Sequence, residues 1–331
     1  MQRVEGSTLD NKIERKVSPM EIVNRMSIIL VLILLCVIMS ILSPNFYSVS
    51  NIINILQQIS INTVVAIGMT FVIMSGGIDL SVGSVVALVG LVYAVLMKKV
   101  GVSPYIALPV GLLLGAIIGT LNGLFISFIN LPPFIVTLGM MSIVRGCAYT
   151  ITDGQSVYQL PAAFLKITAR IGNWLPVPIL LMLALILISA YVLHYTKFGR
   201  HIYAIGGNES AAKLSGINVR RSKILVYMLS GFTSAIAAYL LTARLDSGVP
   251  TAAEGYETEA IAAVVIGGTS MSGGEGNMFG TFIGALIIGI IGNGMNLLFI
   301  PNGPQRIVKG AIILIAVSLD SLKNIRTRKV S

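Results

Sequence analysis

The side chains best able to do chemistry in this sequence are the few polar ones set inside long apolar runs: Asp79, Ser81, Asn122, Arg145, Asn293, Asn296 and Lys309. A charge at membrane depth costs roughly 2.5–3.5 kcal/mol on insertion scales, so each needs a partner or a task. Asp79 lies in MSGGIDLSVGS, where it or Ser81 can cap the helix that follows. The alternative is a helix terminus that lines a permeation path, and a cap can serve both purposes. Arg145 either snorkels outward or pairs with Glu257 or Glu259, and Lys309 is expected to find a carboxylate. The three asparagines suit helix-to-helix hydrogen bonding. A path lined by Asn, Ser and Thr also suits a neutral hydroxylated solute. Asp79, Ser81, Asn122, Arg145, Asn293 and Asn296 are therefore the candidates for a translocation path.

These groups could bind and pass a solute, but they do not assemble a reaction. The sequence has no G-x-x-x-x-G-K-[ST] phosphate loop, no H-E-x-x-H, no Ser/His/Asp set and no paired aspartates within the apolar runs. The glycine pairs Gly206-Gly207 and Gly273-Gly274 lack the following Lys-Ser/Thr. Cys36 and Cys147 sit in apolar runs with no metal or disulfide spacing, and His194 and His201 flank a basic loop. The expectation is no catalytic residue, no metal and no cofactor on this chain.

The elements that must position these residues are membrane helices. Only 11% of the 331 residues are charged, against ~25% in soluble domains. The mean hydropathy is +0.88, and the apolar residues come in runs near the roughly 20 needed to cross a bilayer. Helices are expected at about 26–42, 52–75, 80–97, 105–129, 132–151, 178–195, 222–244, 257–271, 277–299 and 305–322. The fold class is an all-α polytopic membrane protein of about ten transmembrane helices, some short or broken at glycine-rich joints. Residues 1–25 form a polar tail, 26–322 the transmembrane domain and 323–331 a second tail. The first apolar run ends in Ser-Pro-Asn without a small-x-small cleavage pattern, so it reads as a retained helix. Small-residue stripes such as Gly111/Gly115/Gly119 and Gly280/Gly284 let helices approach closely.

The net charge of +10 is distributed by topology rather than aimed at nucleic acid. Of the 23 Lys and Arg, five fall in the N-terminal tail, six in loop 196–223 and four in the C-terminal tail. That bias puts both termini in the cytoplasm. Segment 152–177 is then external. Its Leu165, Ile167, Ile171, Trp174 and Leu175 form either an amphipathic surface piece or an ordered loop. Asp153, Asp246 and Glu254 are candidates for contact with an external partner. The string MSGGEGNMFGT (271–281) repeats the Met-Ser-Gly-Gly of the Asp79 segment on the same side, as an internal repeat or by coincidence.

The cytoplasmic loop carries its own helix signals. Asn208 is an N-cap, Glu209 and Lys213 an i,i+4 pair in the favourable order, and Gly216 a stop, which predicts a two-turn helix over 209–215. A helix that short is unstable alone in water. It is either a self-packed connector or a docking element for a cytoplasmic motor subunit, involving Gly199, Arg200, Gly206, Gly207, Asn208, Glu209, Lys213 and Gly216.

Four segments resemble permeases of the ribose/galactoside/xylose class of ABC importers: FGRHIYAIGGNESAAKLSGINV (198–219), GMTFVIMSGGIDLSVGSVVAL (68–88), YETEAIAAVVIGGTSMSGGEGNMFGTFIGALIIG (256–289) and VKGAIILIAVSLDSLK (308–323). Together they reach from about residue 50 to the end of the chain. The resemblance implies an inner-membrane, binding-protein-dependent permease that moves a monosaccharide. It implies a second permease copy, two ATP-binding subunits or one tandem ATPase, and an external sugar-binding protein. Loop 198–219 would receive the ATPase's motion, and ATP with its magnesium would be held by that ATPase rather than by this chain. A nucleoside or autoinducer-like furanosyl cargo is the alternative. An ion-coupled secondary transporter fits less well, because Asp79 is the one acid in the membrane region of the first half and Asp320 sits at the last helix end.

Overall fold

The computed structural model describes residues 19–172 and 175–328. Arg3, Lys12, Arg15, Lys16, Trp174 and Lys329, which entered the charge and loop arguments, lie outside them.

The chain is built from helices: α1 Pro19–Leu42, α2 Val49–Met74, α3 Val82–Lys98, α4 Pro104–Phe128, α5 Pro133–Ile151, α6 Ala162–Leu165, α7 Val177–Tyr195, α8 Lys197–Gly207, α9 Glu209–Leu214, α10 Val219–Leu245, α11 Tyr256–Ile266, α12 Met278–Leu297 and α13 Asn302–Arg328. Their starts follow local chemistry. Ser48 accepts a hydrogen bond from Asn51 N at the head of α2. α4, α5 and α7 carry proline in the first turn, where its missing N–H costs nothing.

Every expected apolar segment has a helix, but the helices are not equal spans. Six of them, α2, α4, α5, α7, α10 and α12, are long and apolar enough to cross a membrane. α3 has 17 residues and α11 only 11. At 1.5 Å per residue α11 is ~16 Å long, about half of a bilayer core of ~30 Å. The expected span 257–271 is thus corrected to a half-helix that stops at Ile266. The cause is the run from Gly267 to Gly276, in which Gly268, Gly273 and Gly274 take left-handed φ values of 87, 83 and 75°.

α2, α3 and α10 form the centre, with Tyr93, Tyr227 and Phe71 among the largest fully buried side chains. The glycine stripes work as backbone contacts. A Cβ at Gly115 or Gly119 of α4 would overlap the carbonyls of Gly231 or Tyr227 on α10. Gly280 and Gly284 of α12 stand against Gly267 and Ala263 of α11 in the same way.

The described residues of segment 152–177 form a cap. Its strand β1 (Val157–Tyr158) pairs antiparallel with β4 (Ser247–Gly248), and β2 (Arg170–Ile171) pairs antiparallel with β3 (Leu175–Pro176). Phe164 anchors the cap by packing on Tyr239 and Tyr93, with ring centroids 4.7 and 5.6 Å away. Leu165 and Ile167 pack on the core, whereas Ile171 and Leu175 are exposed.

Candidate functional site

Loop 196–223, expected on the cytoplasmic side, is more helical than expected. α8 occupies its first half, and Thr196 accepts from Gly199 N to start it. Asn208 then accepts from Ala211 N at 2.9 Å and starts α9. Gly216 follows with φ 82°, which permits the turn into α10, where Asn218 caps Arg221 N at 3.0 Å. The expected Glu209–Lys213 pair does not form. Glu209 pairs instead with Lys223 at 2.7 Å, so the short helix is tied to the base of α10 rather than to itself. Arg200, Gly207, Asn208, Glu209, Lys213 and Gly216 all face outward.

Leu214 ends α9 with 90% of its surface exposed. It is an apolar side chain at the tip of a polar helix, and sequence reasoning passed over it. Its position one residue before the predicted stop, on a helix otherwise polar or small, is the signal that could have found it.

The inner side of the loop is fixed by glycine. A Cβ at Gly206 would overlap Met74 O and Gly274 N, so α8 lies directly on both Met-Ser-Gly-Gly segments. Gly274 N donates to Met74 O at 3.0 Å, and Tyr203 OH donates to Gly276 O at 2.8 Å. The two similar strings therefore meet each other under α8. Gly199 is placed by a similar squeeze against Leu193 O. Gly207, by contrast, has no atom within 4 Å of where its Cβ would be. α8, directly before α9, thus rests on the end of α2 and on the glycine loop between α11 and α12.

The other candidate residues divide into three places. Asp79, Ser81 and Asn122 form one buried knot with Ser230. Asp79 Oδ1 accepts from Ser81 N at 3.0 Å and from Ser81 Oγ at 2.6 Å, while Oδ2 accepts from Ser230 Oγ at 2.8 Å. Asn122 donates to Ser81 Oγ at 2.9 Å. The knot joins the α2–α3 turn to α4 and α10, and the carboxylate is hydrogen-bonded through both oxygens. Asn293 exchanges two hydrogen bonds with Asn51 of α2, at 3.1 and 2.9 Å, and Asn296 accepts from Gln305 of α13 at 2.8 Å. Both asparagines thus join helices.

Arg145 forms no ion pair with Glu257 or Glu259 among the described residues. Its Nη1 donates to Pro250 O at 2.8 Å and Ala252 O at 2.9 Å, because the chain between α10 and α11 dips inward and offers it carbonyls. Glu259 is taken by Lys309 of α13 and by Asn62 of α2. Arg145 shares its surroundings with Ser84, Ser142, Glu254 and Glu257, around a cavity of about 320 Å³.

Residues 51–317 match the family described as branched-chain amino acid transport system / permease component. The chain is 46% identical over 294 residues to the ribose import permease protein of Haemophilus influenzae, covering 88% of this chain and 91% of that one. It is 47% identical over 296 residues to the ribose import permease protein of Bacillus subtilis, with coverage of 88% and 91%. It is 40% identical over 294 residues to the D-allose transport system permease protein of Escherichia coli, with coverage of 88% and 90%. No solved structure matches it.

Proposed function

This chain belongs to the family of branched-chain amino acid transport system / permease components, and from that premise we propose that it is the membrane-spanning subunit of an ATP-driven sugar importer whose cargo is a monosaccharide of the ribose type. The observation that carries the reading is the identity of 46–47% with two ribose import permeases, above the 40% with the D-allose permease. The candidate residues agree with it. They are amides, hydroxyls and a few charges, with neither a carboxylate ring for a cation nor an arginine cluster for phosphate.

In this reading a second permease copy, two ATP-binding subunits or one tandem ATPase, and an external sugar-binding protein complete the transporter. α8 and α9 receive the motor's motion on the cytoplasmic side, where both termini also lie. The polar face of α9, with Leu214 at its tip, is the docking surface. The contact of Gly206 with Met74 and Gly274 supports a short mechanical route into the membrane. Residues 26–322 act as one permease domain between two cytoplasmic tails.

The test is uptake of labelled D-ribose into vesicles that hold the complete transporter. The expected result is accumulation that requires ATP and persists when proton and sodium gradients are collapsed. Accumulation that follows an ion gradient and ignores ATP would refute the reading.

A further inference from the structure

We propose that the cavity beside Arg145 is a solute-holding site inside the membrane, shaped for one small neutral polyhydroxylated ring; this rests on the importer reading above. The cavity lies where two broken helices begin. A side chain at Gly83, near the start of α3, would overlap Ala253 O and Glu257 Oε2, so the first turns of α3 and α11 touch. From Gly83 to Lys98 at the far end of α3 is ~22 Å along the helix. From Glu257 the half-helix α11 runs about 14 Å toward α8. The contact therefore sits near the middle of a bilayer core of ~30 Å. Helix starts that meet at this depth are where transporters place binding groups.

The lining is chemically unfinished. Ser84 is 1% exposed, yet its hydroxyl has no hydrogen-bond partner. A buried hydroxyl in a native structure normally has a partner. Glu254 and Glu257 are in neither ion pair found among the described residues. Arg145 uses only Nη1 on the carbonyls of Pro250 and Ala252, which leaves donors of its guanidinium for a ligand. The set offers a donor-only group, two acceptors and two hydroxyls, Ser84 and Ser142. Met141 supplies an apolar wall.

Sugar hydroxyls both donate and accept, and a sugar ring also presents C–H faces. That mixture answers this lining better than an anion would, since Glu254 and Glu257 repel one. A volume of about 320 Å³ is at the small end of ligand pockets, which suits a single ring. Met141, Ser142 and Arg145 of α5 form one wall of the cavity, and Ser142 is exposed.

The experiment compares maximal D-ribose uptake with ATP hydrolysis in vesicles containing the complete transporter. The variants are Ser84→Ala, Glu257→Gln and Ser142→Trp. Arg145 is left unchanged because it also holds the α10–α11 connection. The inference predicts a fall in maximal uptake of about threefold to tenfold for Ser84→Ala and Glu257→Gln. Ser142→Trp, which fills the mouth of the cavity, lowers it more than tenfold, on the order of complete block. ATP hydrolysis continues in all three, and the half-saturating ribose concentration stays constant because external capture sets it.

Unchanged uptake in Ser142→Trp overturns the inference. So does uptake that fails when external sodium is replaced by choline and no longer responds to sodium in Glu257→Gln, which would make the cavity a cation site. Should Ser84→Ala not assemble, Ser142→Trp at its exposed position decides alone. An unsubstituted transporter that shows no ATP-driven uptake removes the importer reading itself, and the cavity's role with it.

Discussion

Replacing Gly206 with alanine adds one methyl group where α8 lies against the end of α2 and the glycine loop before α12. The new Cβ would overlap Met74 O and Gly274 N, both main-chain atoms that cannot rotate away. Either α8 lifts or the glycine loop retreats. Overpacking of one methyl group costs ~1–3 kcal/mol. Lifting also strains the Tyr203–Gly276 and Gly274–Met74 hydrogen bonds, and losing one of them adds ~1 kcal/mol. Helix propensity works the other way and favours alanine by ~1 kcal/mol. The net expectation is a loss of roughly 1–3 kcal/mol from these opposing contributions.

Gly207→Ala is the internal control, since its Cβ meets nothing within 4 Å. It keeps only the propensity gain. Thermal unfolding of the two variants in detergent measures the difference, with Gly206→Ala lower by several degrees and Gly207→Ala equal to or above the parent. If Gly207→Ala proves as damaging to unfolding as Gly206→Ala, the close backbone contact under α8 is not what fixes the loop, and the reasoning fails.

Three further outcomes follow from the same geometry. Leu214→Ala removes an apolar side chain that is 90% exposed, so folding should not change, while binding to the ATPase subunit weakens about tenfold in a pull-down or titration; unchanged binding removes Leu214 from the docking face. Asp79→Ala deprives Ser81 and Ser230 of their acceptor and should cost ~2–4 kcal/mol, seen as loss of the monodisperse protein on size exclusion, with Asp79→Asn much milder because one oxygen remains. A double-mutant cycle of Glu259→Gln and Lys309→Met should give a coupling energy above ~1 kcal/mol for this half-buried pair, and additive effects would show the pair to be inert.

Much of this architecture was legible in the sequence, because apolar run length and proline placement report directly on membrane helices. The helix at 209–214 was visible because Asn208 and Gly216 are local signals that act within one turn. The ion pairs were legible only in part: Lys309 finds a carboxylate, Glu259, as expected, but the other charges choose different partners. Glu209 chose Lys223 over Lys213, since α10 brings a second lysine within 2.7 Å from 14 residues away. Arg145 chose carbonyls over carboxylates, because the segment between α10 and α11 turns inward, which no periodicity announces.

The length of α11 was overread for a similar reason. Residues 267–271, Gly-Gly-Thr-Ser-Met, are small and uncharged, so no charge or proline marks the stop although the glycine backbone has already left the helix. The repeated Met-Ser-Gly-Gly strings were visible as text. Their meeting beneath Gly206 depends on packing among α2, α8 and the loop before α12, and only the folded chain shows it.

The most direct measurement of the account is side-specific labelling and cross-linking at the tip of α9. Cys36 and Cys147 are replaced by alanine, and Leu214→Cys becomes the single thiol of the described chain. The account predicts that a membrane-impermeant thiol reagent reaches it only from the cytoplasmic face. It also predicts that a short bifunctional cross-linker joins it to the ATP-binding subunit, with a yield that changes when ATP is added. Labelling from outside the cell, or a thiol that is freely reactive yet never joins the ATPase, would contradict it.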